Sequence, residues 1–213
     1  MTSKAHSVHY PSVAPTARIA QPEDVDAVTE TIVDAFAEDP TWAWAFPDPA
    51  LRPSQHAAVW RLVVEGAVRY PWVWLTEGAA ATAVWVPPGG TDLTPEQESD
   101  LEALLLRLPG TAGTRAMRTF EAFERAHPRD APHFYLSLLA TRPEQRGNGY
   151  GLGLLAANLR LVDEAGTPAY LEASNVANIR LYERYGFVVR DRFATPDDGP
   201  EVVTMWREPV PAS

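Results

Sequence analysis

Residues 133–155 read HFYLSLLATRPEQRGNGYGLGLL, and this stretch constrains the fold more than any other part of the 213-residue chain. Its first third is a near-continuous apolar run, too short and too rich in β-formers for a helix, so a buried strand is predicted over 133–141. Its last third has the apolar spacing of a helix that continues to about Gly166. Between them glycine recurs at 147, 149, 151 and 153. Glycine permits unusual φ values and close backbone approach to a ligand, and the first amides of a helix have no partner within it. A strand, a glycine turn and a helix start therefore make a cradle for an anion such as a diphosphate, helped by the helix dipole.

Other readings of the segment fit less well. A Walker-type loop would end in Gly-Lys-Ser/Thr, which is absent. Gly151, Gly153 and Ala156 match a dinucleotide fingerprint, with Glu172 about 20 residues on. The first glycine should then follow its strand directly, whereas nine residues, Arg142 to Tyr150, stand between Thr141 and Gly151. A plain flexible loop would seldom run straight into so amphipathic a helix.

The rest of the chain reads as mixed α/β. ARIA (17–20) is a short strand, and Val25, Val28, Ile32, Val33 and Phe36 mark a helix stopped by Pro40. TWAWAFPDPALRP reads as a connection rich in Pro and Trp, and helical spacing returns from Ser54 to Tyr70. WVWLTEGAAATAVWVPPGG predicts a hairpin with strands at 72–76 and 80–86. Thr94 and Gln97 form a capping box, with Pro95 at the first helical position. Pro109-Gly110 divides that helix from a second one ending near His127. A strand is predicted at 169–174, then a short helix stopped by Gly186, and final strands near 187–193 and 201–207 flank the turn PDDGP.

Apolar residues make up 46% of the chain and charged residues 22%, as in ordinary globular proteins. No apolar run approaches the roughly 18 residues that a membrane helix needs. The absence of cysteine excludes disulfides, thiolate metal sites and cysteine nucleophiles. A net charge of −10 argues against nucleic acid or an anionic membrane as partner and is compatible with a cationic small molecule. Residues 1–16 lack the apolar core of a signal peptide and read as a loose tail before one domain over 17–210, with the cytoplasm as default location.

Arg146-x-x-Gly149-x-Gly151, preceded by LLATRPEQ, resembles the coenzyme A diphosphate signature of the GNAT superfamily of N-acetyltransferases. Thirty residues on, LEASNVANIRLYERYGF resembles that family's second motif, and the two cover about 133–190. The wording of ARIAQPEDVDAVTETIVDAFAEDP, AAATAVWVPP and PAYLEASNVANIRLYERYGF is most similar to the puromycin N-acetyltransferase branch. The resemblance implies an α/β fold with a central, mixed, mostly antiparallel sheet of about seven strands flanked by helices. A helical pair would lie between the third and fourth strands. It implies acetyl transfer from acetyl-CoA to the primary amine of a small molecule, by a monomer or homodimer without metal. The alternatives are a protein or peptide N-acetyltransferase and a non-catalytic acyl-CoA-binding domain.

The same resemblance assigns residues. Arg146, Gly147, Asn148, Gly149, Tyr150 and Gly151 would hold the diphosphate, and Leu139, Ala140 and Thr141 would pair with the pantetheine arm. The Leu139 amide would face the thioester oxygen. Tyr182 matches the tyrosine that protonates the leaving thiolate, against a reading as core aromatic. Asn178 matches an asparagine that contacts the cofactor, against a reading as a helix cap. From the residues themselves, Glu172 is the candidate base, because a carboxylate inside an apolar strand is seldom there for packing. Glu38, Asp39 and His133 follow it, with His133 read as a surface imidazole. Asp39, Trp42 and Trp44 are the candidate acceptor-pocket residues, and Tyr185, Trp85 and Trp206 are read as structural. The five histidines show no metal-ligand spacing.

Overall fold

The computed structural model describes residues 16–211; the tail expectation for 1–16 falls almost wholly outside them. Seven strands form one sheet: β1 (Ala17–Ile19), β2 (Val73–Thr76), β3 (Ala81–Val86), β4 (Phe134–Thr141), β5 (Ala169–Ala173), β6 (Val188–Ala194) and β7 (Glu201–Arg207). Their spatial order is β1-β2-β3-β4-β5-β7-β6, antiparallel except for the parallel pair β4 and β5. The helices are α1 (Val25–Phe36), α2 (Pro40–Ala45), α3 (Arg52–Ala67), α4 (Pro95–Leu106), α5 (Ala112–Ala126), α6 (Tyr150–Glu164) and α7 (Ile179–Glu183). The pair α4 and α5 stands between the third and fourth strands.

Each sheet face has its own core. On one, Ile32, Val64, Leu105 and Ala116 from α1, α3, α4 and α5 pack with Val84 and Leu138. On the other, Leu154, Leu155 and Leu159 of α6 cover Trp85, Leu136, Leu171 and Met205. β3 is buried along its whole length, as a central strand covered on both sides must be. Within that second core the Trp85 indole donates to Asn158 Oδ1 at 3.1 Å, which satisfies the indole, while Asn158 Nδ2 is buried without a hydrogen-bond partner.

Two irregularities shape the centre. The β3–β4 register slips between Val84 and Trp85, which leaves Ser137 of β4 as an extra residue. The β4–β5 pairing runs from Phe134–Ala169 to Leu136–Leu171 and stops. Beyond it, Leu138 to Thr141 and Glu172 to Ala173 keep only their outer neighbours, so the sheet opens into a cleft between its two middle strands.

One segment differs from its sequence reading. The connection after α1 contains α2, with Asp39 as N-cap and Pro40 at the first helical position. The dense Pro and Trp content of 40–53 masked this ordinary start signal.

Candidate active site

The glycine turn lies at the outer end of the cleft. Gly147 and Gly149 have φ of +85° and +81°, left-handed values that glycine adopts without strain. Gly149 is the N-cap of α6 and has no side chain to cap with, so the first amides of α6 are left to an outside acceptor. A Cβ at Gly151 would sit 2.3 Å from Thr141 Oγ1, so α6 can start this close to β4 only with glycine there. Arg142 anchors the turn to α1 through Asp34 (2.7 Å) and Glu30 (3.4 Å), and Arg146 donates to the Ala35 carbonyl at 2.9 Å. This geometry passes a test for a diphosphate ligand: an open set of amides, bends that a side chain would strain, and a cleft edge for an extended arm to follow.

A cavity of about 820 Å³ continues from the cleft beneath α5, touching Leu139, Asn178 and Tyr182 at one end and Glu172, Asp92 and His127 at the other. Tyr182 is half-buried on α7; burial pushes its phenol up to about 12, with the Asp39 carboxylate adding to the shift. Such a phenol stays protonated at neutral pH and suits a proton donor. Its ring also meets Phe187 edge-on, so it packs as well. Asn178 makes no side-chain capping bond to α7, which removes the helix-cap reading.

Asp39 is buried and caps α2 through the Thr41 and Trp42 amides (3.1 and 3.3 Å). It also accepts from the Ser174 hydroxyl at 2.9 Å, while Thr41 donates to the Ser174 carbonyl at 2.8 Å. Burial raises its pKa against these hydrogen bonds. Asp39 thereby pins α2 across the end of β5 and sets Trp42 in the cavity wall. Trp42 meets Trp60 edge-on at 4.6 Å and stacks with Phe123 at 5.7 Å. Trp44 does not line the cavity: the Arg115 guanidinium lies 4.8 Å from its ring centre.

The inner end carries the acids. The Glu172 side chain is 2% exposed, and its Oε1 is buried without a hydrogen-bond partner. Tyr135 stands beside it, pushed well above its ordinary value first by burial and then by the Glu172 and Asp92 charges. Asp92 comes from the loop before α4, bonds Ser137, and has a buried, unpartnered Oδ1. Burial lifts it to about 6, and the Glu172 charge adds. A Cβ at Gly66 of α3 would lie 2.2 Å from the Asp92 carbonyl oxygen, so glycine there lets the loop settle onto α3. His133, read as a surface imidazole, is buried, and Trp206, read as core, is half-buried beneath Arg190. Glu38 is exposed and pairs with Arg52 at 3.5 Å. Asp92, His127, Ser137 and the Trp60, Phe120 and Phe123 rings were not foreseen. Among the described residues, no group of three or more His, Cys, Asp or Glu is placed to hold a metal, and no helix is long and apolar enough to cross a membrane.

Comparison with known proteins agrees with this architecture. Residues 107–187 match the acetyltransferase (GNAT) family. An uncharacterized N-acetyltransferase of Schizosaccharomyces pombe is 24% identical over 210 residues, 91% of this chain and 83% of that one. The crystal structure of "histone acetyltransferase HPA2 and related acetyltransferase" from Corynebacterium glutamicum superposes with a TM-score of 0.70 at 25% identity, over 94% of this chain and 99% of that one. A polyamine N-acetyltransferase of Drosophila melanogaster, 15% identical, shares the fold with a TM-score of 0.59 over 91% and 99% of the two chains. The fold is the GNAT fold, and the matched segment with these neighbours supports placing the chain in the GNAT superfamily. N-acetyltransferase activity is supported by the same match and by the relatives' names; enzymes of this superfamily use acetyl-CoA as co-substrate.

Proposed function

We propose that residues 17–210 form one cytoplasmic N-acetyltransferase domain that moves an acetyl group from acetyl-CoA to the primary amine of a small molecule. The observation that carries this reading is the opening of β4 from β5 between the glycine turn and the cavity: one end suits a diphosphate, the other an amine. The thioester supplies an activated acetyl group. Amides of 147–151 and Arg146 hold the diphosphate, with Asn148 and Tyr150 within the turn, and the freed edge of Leu139, Ala140 and Thr141 aligns the arm. The Leu139 amide faces the thioester oxygen, and Asn178 borders the arm. Tyr182 gives a proton to the departing thiolate, and Glu172 receives one from the amine. Trp42, held by Asp39, offers an aromatic wall to the acceptor, whereas Trp44 has no part in that wall.

The walled cavity, with acids at its inner end, favours a small cationic or aromatic amine over a peptide, in line with the resemblance to the puromycin branch. The test is thiol release from acetyl-CoA against amines that include puromycin, aminoglycosides and short peptides. Release with small amines supports the reading; release with peptides alone contradicts it. Acetyl-CoA binding without release by any amine would favour a non-catalytic acyl-CoA-binding domain.

A further inference from the structure

The helical side of the cavity is walled by rings. Phe36 of α1, Trp42 of α2, Trp60 of α3, and Phe120 and Phe123 of α5 all line it. Trp42 and Trp60 are buried and back the wall, whereas the three phenylalanines are half-buried and keep ring surface uncovered. The Trp42 ring centre lies 5.3 Å from that of Phe120 and 5.7 Å from that of Phe123, and it meets Trp60 edge-on at 4.6 Å. Aromatic rings attract one another at such separations, so a further ring entering the space extends an existing cluster. The Asp39 carboxylate fixes the start of α2, so the wall stands before any ligand arrives.

Charge selects the rest of the ligand. Glu98 of α4 and Glu121 and Glu124 of α5 line the cavity from exposed positions and draw a cation toward it. An anion finds no partner there. Among the described residues that line the cavity the one arginine, Arg129, is bridged to Glu124, and His127 and His133 are bonded to each other at 3.1 Å. A carboxylate brought in would meet Asp92 and Glu172 without a counter-charge, and an unpaired buried charge is costly. A second ammonium gains little at the inner end. Asp92 Oδ1 is buried and the Glu172 side chain is 2% exposed, so that ammonium would have to shed all its water to approach them.

Resting on the acetyl-transfer reading, we infer that the acceptor is an arylalkyl monoamine without a carboxylate: an aromatic ring, a short saturated arm and one primary amine. The ring lies against the uncovered faces of Phe120 and Phe123, and the arm directs the amine to the thioester at the Leu139 end. A cavity of about 820 Å³ has room for one or two fused rings beside the thioester. Phe120 and Phe123 are therefore specificity-determining residues, and they select through ring contact without entering the chemistry.

The test compares kcat/KM for thiol release from acetyl-CoA with phenethylamine, hexylamine, hexamethylenediamine and phenylalanine. Phenethylamine should exceed hexylamine about tenfold, the scale of ring–ring attraction beyond apolar burial. The diamine should fall below hexylamine, and phenylalanine about 100-fold or more below phenethylamine. Hexylamine, the diamine or phenylalanine used as well as phenethylamine would overturn the assignment. Phe120→Leu and Phe123→Leu keep an apolar side chain and remove the ring. Each should raise KM for phenethylamine about 3- to 10-fold while leaving hexylamine KM and acetyl-CoA affinity unchanged. A purely structural role would move both amines together, and that result would remove the ring contact. If acetyl-CoA binds but no amine releases thiol, the acetyl-transfer reading falls. Calorimetry with phenethylamine and hexylamine then decides the ring wall on its own: tighter phenethylamine supports it, and equal or weaker binding contradicts it.

Discussion

The two ends of the cleft are built from different materials. The glycine turn is a backbone site: its amides, the left-handed Gly147 and Gly149 and the start of α6 come from one continuous stretch. The inner end is a side-chain site, assembled from Asp92, His127, Ser137 and Glu172, which the fold gathers from separate segments. A backbone site is damaged by any side chain that fills it or bends the chain. A side-chain site is damaged by loss of one atom or by displacement of its support. Perturbations should therefore sort cleanly, with cofactor affinity changing at one end and turnover at the other.

The largest effect is expected at the turn. Gly149→Glu forces a side chain into a left-handed φ and sets a carboxylate where a diphosphate would lie; affinity for acetyl-CoA should fall beyond about 1000-fold by calorimetry. An unchanged Kd would break the backbone half of the comparison. Tyr182→Phe, between the two ends, should lower kcat about 100-fold while leaving the same Kd nearly untouched. Full activity would make its hydroxyl irrelevant to the chemistry.

Asp92 gives a pH signature. Its carboxyl rises from 3.8 to about 6 in the fold, so between those values the folded state keeps a proton that the unfolded chain has released. Its contribution is most favourable below about pH 4 and falls as pH rises to about 6, by at most about 3 kcal/mol. Denaturant unfolding of wild type and Asp92→Asn should therefore show a stability difference that moves against wild type across that window; a flat difference would contradict a carboxyl group whose burial outweighs its bond to Ser137. The smallest effect is indirect. Gly66→Ala presses on the Asp92 carbonyl and should cost turnover about tenfold, roughly 1.4 kcal/mol, without altering acetyl-CoA affinity. A parallel loss of affinity would blur the separation of the two ends.

The same contrast explains what the sequence disclosed. The turn was legible because strand, glycines and helix are adjacent in the chain and each has a local rule. The α4 capping box and the two final strands around PDDGP were legible for the same reason. Glu172 stood out as a carboxylate in an apolar strand. Asp92 did not, since PPGGTDLTPEQ reads as an ordinary turn, and nothing local shows that Gly66, 26 positions earlier, leaves room for it. His127 was read only as the end of a helix, and its partners arrive through pairings that periodicity cannot supply. The slip at Ser137, which changes the residue facing the cavity, leaves no trace in an alternating apolar run.

The most direct measurement is a crystal structure of the full chain with acetyl-CoA. The diphosphate is expected within hydrogen-bonding distance of the 147–151 amides, with the thioester carbonyl directed at the Leu139 amide between the parted strands. A diphosphate bound away from that turn, in a molecule whose 147–151 amides meet only solvent, would contradict the account at its root.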